Sequence, residues 1–189
     1  MIIRAAQPTD AAAMAKVHVD SWRTTYKGIV PDDFLAALSY EQRTYMWRHR
    51  VLQFPPTSFV YVAEDPSGQV IGFASGGPER GGDPDHTGEV YAIYLLEGYQ
   101  RHGLGRHLTS TLVQCLVHAG MPSLLLWVLA ANPCRGFYEA LGGQRLYDKQ
   151  VLIGGTPLVE VAYGWQDARA LIVEPLGERE RSSGPPTLA

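Results

Sequence analysis

The sequence predicts an α+β fold, a single mixed and mostly antiparallel sheet of about seven strands flanked by helices in an α/β sandwich-like arrangement. Three observations predict it. Short runs rich in β-branched and aromatic residues pair across turn-forming residues, which makes hairpins. Apolar stripes at helical spacing alternate with these runs. One continuous apolar run, Leu124 to Leu129, follows a helix and is long enough only for a strand buried on both faces, so one β–α–β crossover joins the hairpins.

Ile2 to Ala6 reads as the first strand. Pro8-Thr9-Asp10 opens a helix, because proline suits a first turn and an acid is favoured at the positive N-terminal end. Met14, Val17 and Trp22 keep helical spacing to about Tyr26, where Gly28 and Pro31 break it. A second helical stretch covers Asp32 to Leu52, with Leu35, Leu38, Tyr45, Trp47 and Val51 apolar or aromatic. It is interrupted near Ser39 and ended by Phe54-Pro55-Pro56. Phe59 to Glu64 and Val70 to Ser75 are partners across the turn Asp65-Pro66-Ser67-Gly68. Arg80 to Thr87 is a polar loop, expected to be mobile, and Glu89 to Leu96 is a strand again. Leu104, Leu108, Leu112 and Leu116 form a buried stripe on a helix that Gly120 and Pro122 stop. After the Leu124 strand, Asn132 to Leu141 is a short helix closed by Gly142-Gly143. Gln144 to Ile153 and Pro157 to Trp165 form the last hairpin around Gly154-Gly155. From Glu174 onward the chain is charged and then rich in Ser, Gly and Pro, a composition expected to be disordered or loosely docked. The domain is therefore placed at residues 1–166, and 167–189 is a tail with a short helix at most.

Composition narrows the function. The chain is 46% hydrophobic and 19% charged, the balance of a globular protein. Sixteen Lys plus Arg against 19 Asp plus Glu leave a net charge of −3, which argues against nucleic acid or an anionic membrane as partner. Cys115 and Cys134 are too few for a disulfide scaffold or a cysteine-based zinc site. The histidines show no metal-ligand spacing, so no metal is expected. Met1 to Ala6 has an early Arg4 and lacks the apolar run of a signal peptide, and no stretch approaches the roughly 20 apolar residues that span a bilayer. A cytoplasmic location follows as the expectation.

The segment Tyr99-Gln100-Arg101-His102-Gly103-Leu104-Gly105-Arg106 carries the most information. It joins an apolar strand to an amphipathic helix. A glycine pair there opens dihedrals closed to other residues and permits close approach to a ligand. Successive N–H groups and the first helical turn then favour an anion, with Arg101 and Arg106 beside it. The plain alternative is a tight turn with two exposed arginines. There is no G-K-[ST], which excludes a P-loop, and the third glycine of a dinucleotide fingerprint is missing.

Q-R-H-G-L-G resembles the Q/R-x-x-G-x-G/A signature of the GNAT superfamily of acetyl-CoA-dependent N-acetyltransferases. The strand Glu89 to Leu95 resembles the family's fourth strand, and Asn132 to Leu141 its N-x-x-x-x-F-Y-x-x-x-G helix; the likeness covers about residues 1 to 166. The resemblance implies acetyl-CoA as co-substrate, with no metal, and acetyl transfer to a primary amine by direct attack in a ternary complex. A non-catalytic acyl-CoA-binding or sensing module of the same fold is the alternative. It implies that backbone N–H groups of Arg101, His102, Gly103, Leu104, Gly105 and Arg106 bind the pyrophosphate. Main-chain atoms of Ile93 and Leu95 would hold the pantetheine arm like an added strand. A bulge near Tyr94 or Leu95 would open the slot, with Tyr94 lining it.

Further roles follow from the same resemblance. Asn132 meets the pantetheine, caps the next helix, or both, since Pro133 follows it. Tyr138 donates a proton or hydrogen bond to the leaving thiolate, against the alternative of an aromatic packing the helix onto the sheet. A primary amine with a pKa of about 10 arrives protonated. Glu89 is the expected base, against the alternative of a solvated charge at a strand end, with Tyr91 and Tyr94 as weaker relays. Trp22 and Tyr26 share a helix face and either wall the acceptor pocket or pack in the core. Glu97-Gly98 and Gly143 depart from the family pattern without touching the cofactor motif. The acceptor is a small-molecule or peptide amine, and a homodimer is expected.

Overall fold

The alternating and helical patterns condense into one sheet with helices on both faces. The structure, a computed structural model, describes residues 1–53 and 57–174. Strand β1 (Ile2–Ala5) leads through a single 3-10 turn at Pro8–Asp10 into α1 (Ala11–Thr25); α2 (Asp32–Ala36) and α3 (Tyr40–Gln53) follow. The expected interruption at Ser39 separates α2 from α3, and the Ser39 hydroxyl accepts from the Gln42 amide at 3.2 Å. Strands β2 (Phe59–Glu64), β3 (Val70–Pro78) and β4 (Gly88–Leu95) form a meander. Helix α4 (Leu104–His118) crosses to β5 (Leu124–Leu129), and α5 (Arg135–Ala140) precedes the hairpin β6 (Gln144–Ile153) and β7 (Thr156–Trp165). The seven strands lie in the order β1-β2-β3-β4-β5-β7-β6, antiparallel throughout except for β4 against β5.

Each face has its own core. On one, Leu104, Leu108, Leu112 and Leu116 of α4 are fully buried against Ile71, Ala74, Leu124 and Leu126. Burial of each such leucine contributes about 2 kcal/mol. Gly76 lets α4 settle this close, since a Cβ there would lie 2.8 Å from the Glu89 carbonyl and 3.2–3.3 Å from Leu116 and Leu112. On the other face, Met14 and Val17 of α1 and Trp47 of α3 pack on Val62 and Phe73.

Four sequence expectations need revision. The loop after β3 is tied down by its own polar groups. The Glu79 carboxylate accepts from the amides of Gly81, Gly82 and Asp83, and the Asp83 carboxylate accepts from the Asp85 and His86 amides and pairs with the His86 ring. Helix α5 starts at Arg135 rather than Asn132, because the Asn132 side chain accepts from the Cys134 amide at 2.7 Å and holds Asn132 to Cys134 in a turn. The bulge sits at Tyr91, not at Tyr94 or Leu95: Ser75 faces Ala92 whereas Gly76 faces Val90, leaving Tyr91 as the extra residue. Finally, the packed chain continues past residue 166. Ala168 and Leu171, in a 3-10 turn, are buried against α4, and Ser110 Oγ accepts from the Val173 amide at 2.8 Å. The Ser/Gly/Pro-rich stretch lies outside the described residues, as does Phe54-Pro55-Pro56. Among the described residues no helix is long and apolar enough to cross a membrane.

Candidate active site

Strands β4 and β5 pair only over Gly88–Val90 with Leu124–Leu126. Beyond that point the Tyr91 bulge turns β4 aside and the strands part. The gap is a cavity of about 660 Å³, walled by β4, β5, the first turn of α4, α5 and the end of α1. The bulge also shifts the side-chain phase by one. Val90, Ile93 and Leu95 pack toward α4, while Ala92 and Tyr94 pack toward α1 and α3.

At the α4 end the chain forms a turn whose geometry can cradle an anion. Gly103 is left-handed (φ 80°), and so is Arg101 (φ 64°), a conformation that costs a non-glycine residue about 1–2 kcal/mol. Among the described residues the amides of Arg101, His102, Gly103, Leu104 and Gly105 have no acceptor, and they add to the positive end of the α4 dipole. The Arg106 amide is spent on the Gly103 carbonyl at 3.0 Å, so it leaves the set expected to bind phosphate. Gly105 is helical, and its role is contact rather than dihedral freedom: a Cβ there would lie 3.6 Å from the Phe137 ring. Arg101, Gly103, Gly105 and Arg106 line the cavity; His102 is exposed and Leu104 is core, and neither is on the cavity wall.

Along β4, successive residues send their backbone groups to opposite sides. The Leu96 amide bonds to the Ile71 carbonyl of β3 at 2.9 Å, so Leu95 and Ile93 direct theirs to the gap. The Leu95 carbonyl already accepts from Gln100 Nε2 at 2.9 Å, which anchors the anion turn to the strand. Sequence reasoning assigned no such role to Gln100.

Three phenols meet at the inner wall. Tyr26 Oη accepts from Asn132 Nδ2 at 3.1 Å, and the Cys134 amide fixes the orientation of that side-chain amide by donating to its oxygen. Asn132 therefore shapes the α5 turn and orients Tyr26. Tyr94 Oη accepts from the Trp22 indole N–H at 2.9 Å, and its ring stacks on His18 at 4.7 Å. The Tyr138 hydroxyl has no partner among the described residues. Burial raises the pKa of all three, and Tyr94 lies near enough to act electrostatically on both Tyr26 and Tyr138. All three are neutral donors near pH 7.

Other predicted residues lie elsewhere. Glu89 is buried, and both its oxygens are held by Arg80: Nε donates at 2.9 Å and Nη2 at 2.5 Å. It does not line the cavity; Arg80, stacked 3.9 Å over the Tyr91 ring, connects it to the wall. Trp22 stands behind the wall, bracing Tyr94 by its N–H and Tyr26 by an edge-on contact at 4.8 Å. Tyr26 does line the cavity. His18, read from sequence only as surface or core, is buried and accepts from Trp47 Nε1 at 3.1 Å. Burial, with Arg43 and Arg50 nearby, pushes its pKa down to about 3. Among the described residues no group of three or more His, Cys, Asp or Glu could hold a metal.

A strand pair that splays beside a helix N-terminus bearing free amides defines an acyltransferase of the GNAT type. Residues 18–143 match the Acetyltransferase (GNAT) family, and the chain belongs to that family. It is 43% identical to the uncharacterized N-acetyltransferase YuaI of Bacillus subtilis, covering 89% of this chain and 95% of the relative. It is 30% identical to a probable N-acetyltransferase, Rv2775, of Mycobacterium tuberculosis, over 97% of this chain and 95% of that one. In fold it resembles the PaiA N-acetyltransferase of Thermoplasma acidophilum solved with coenzyme A. The TM-score is 0.65 at 18% identity, covering 85% of this chain and 96% of that one. It also resembles YncA of Salmonella typhimurium solved with acetyl-CoA, with a TM-score of 0.65 at 22% identity and coverage of 88% and 93%.

Proposed function

We propose that the protein transfers an acetyl group from acetyl-CoA to a primary amine by direct attack within a ternary complex. The observation that carries this is the run of unpaired amides from Arg101 to Gly105 opening onto a gap whose far wall holds Tyr138. The diphosphate sits on these amides, with Arg101 and Arg106 supplying full charges. The amides and carbonyls of the pantetheine arm pair with the gap-facing backbone groups of Ile93 and the Leu95 amide as an added strand, the Leu95 carbonyl being held by Gln100. The thioester then lies against Tyr138.

The neutral amine nitrogen attacks the acetyl carbonyl carbon and a C–N bond forms. The C–S bond breaks, its electron pair goes to sulfur, and Tyr138 gives the thiolate a proton that the amine's own lost proton replaces. A phenol whose pKa burial has raised is protonated throughout the working range and can serve as donor in every turnover. Glu89, occupied at both oxygens by Arg80, holds the Arg80–Tyr91 stack rather than taking the proton from the amine.

Calorimetric titration with coenzyme A, followed by thiol release from acetyl-CoA with a panel of amines, tests the reading. Binding in the micromolar range, and a kcat about 10²-fold lower in Tyr138→Phe, are expected. No binding at millimolar coenzyme A overturns it. A Glu89→Gln protein that loses kcat as deeply as Tyr138→Phe while keeping its fold returns the base role to Glu89.

A further inference from the structure

The hydroxyl groups of Tyr26 and Tyr94 have directed protons. An indole N–H can only donate, so the bond from Trp22 fixes the Tyr94 oxygen as its acceptor; the Asn132 amide does the same to Tyr26. Each phenol retains one O–H with no acceptor among the described residues, and both residues line the cavity. The Tyr94 ring is held on two sides, stacked on His18 (4.7 Å, 18°) and edge-on to Phe73 (5.3 Å, 62°). Phenylalanine would give the same packing, so the hydroxyl is the part that packing does not explain.

Among the described residues the cavity wall also places no carboxylate or histidine in contact with the phenols. Among the described residues Glu97 is the only carboxylate on that wall, and it lies in the turn that leads into the anion cradle. Glu160, near enough to act electrostatically on Tyr94, is not on the wall and is paired with Lys149 Nζ at 3.3 Å. A lysine-type amine of pKa about 10.4 is neutral to roughly one part in a thousand at pH 7.5, whereas a chain-terminal α-amine of pKa about 8 is neutral to about a quarter. The second needs no positioned base.

The geometry points to an acceptor whose α-amine sits next to a carbonyl, a peptide N-terminus or amino-acid amide, with that carbonyl oxygen received by the Tyr26 and Tyr94 hydroxyls. This rests on the acetyl-transfer reading above and names its acceptor class. The two phenols are specificity residues. Trp22 is a positioning residue for Tyr94.

The test compares three acceptors: an amino-acid amide, difluoroethylamine as an amine of similar pKa without a carbonyl, and an Nα-blocked lysine. Wild-type kcat/KM is expected to favour the amino-acid amide over difluoroethylamine by at least tenfold, and over blocked lysine by more. Tyr94→Phe and Tyr26→Phe each reduce the first ratio by fivefold or more, and Trp22→Phe, which keeps an aromatic ring but no N–H, reduces it in the same direction. Packing damage alone lowers both rates together and leaves the ratio unchanged. A ratio unchanged in both tyrosine variants, or a wild type that prefers blocked lysine, overturns the inference. Coenzyme A titration of the wild type separates the two readings: if it binds and amines turn over without this preference, only the acceptor class fails.

Discussion

Replacing His18 with Asn probes the buried wall that supports Tyr94. The Asn Oδ1 occupies nearly the place of the imidazole Nδ1 and can still accept from Trp47, but it cannot titrate. In the native protein the His18 pKa falls from 6.5 to about 3, because burial and then Arg43 and Arg50 disfavour the charged ring. The unfolded chain binds this proton below pH 6.5 while the folded one refuses it until about pH 3, so stability is complete above 6.5 and declines as pH falls through that window. Between pH 8 and pH 5 the linkage amounts to about 2 kcal/mol. Urea unfolding followed by tryptophan fluorescence at both pH values measures it. His18→Asn is less stable at pH 8, having lost the stack on Tyr94, yet it should lose about 2 kcal/mol less than wild type on acidification. Equal losses in the two proteins would refute the argument, because His18 would then be accepting its proton in the folded state.

Two further outcomes follow from the site. Gly103→Val forces a β-branched residue into the left-handed region and should cost about 1–2 kcal/mol in thermal unfolding, with coenzyme A affinity down more than tenfold by calorimetry. Arg80→Met leaves the buried Glu89 carboxylate without its partner. Because Arg80 is half-exposed, the loss is about 1–3 kcal/mol, and adding Glu89→Gln should recover most of it in a double-mutant cycle.

The sheet and its helices were legible because each leaves a periodic mark: the α4 leucines at every fourth position, the unbroken run Leu124 to Leu129, the paired turns at Pro66-Ser67-Gly68 and Gly154-Gly155. The Tyr91 bulge left none. It reverses which face of β4 each later side chain takes, and nothing local distinguishes Tyr91 from Tyr94 as the extra residue. Hence Tyr94 was read as a lining residue or weak relay beside Tyr91, and the Trp22 N–H that fixes its hydroxyl left no mark in the sequence. Motif spacing located the amides of Arg101 to Gly105, but the left-handed φ at Arg101 and the turn that spends the Arg106 amide depend on closure of the whole loop. The ion pair on Glu89 was hidden for a different reason. Its partner Arg80 sits in a stretch read as a mobile loop, and only the folded loop brings a guanidinium onto the carboxylate. Trp22 and Tyr26 share a helix face as expected, yet the wall position falls to Tyr26 and the brace to Trp22, which depends on where Tyr94 projects.

The brevity of the β4–β5 ladder has a mechanical consequence. β1 to β4 form one leaf of the sheet and β5, β7 and β6 another, and the backbone stitching between the leaves ends at Val90 and Leu126. A guest whose own amides span the cleft closes that seam, so part of its binding energy becomes cohesion between the leaves. At a hundred times its dissociation constant such a guest adds about 2.7 kcal/mol to the folded state. Amide exchange should slow along the margin facing the cleft, at Ile93 and Leu95, more than at the outer strands β1 and β6.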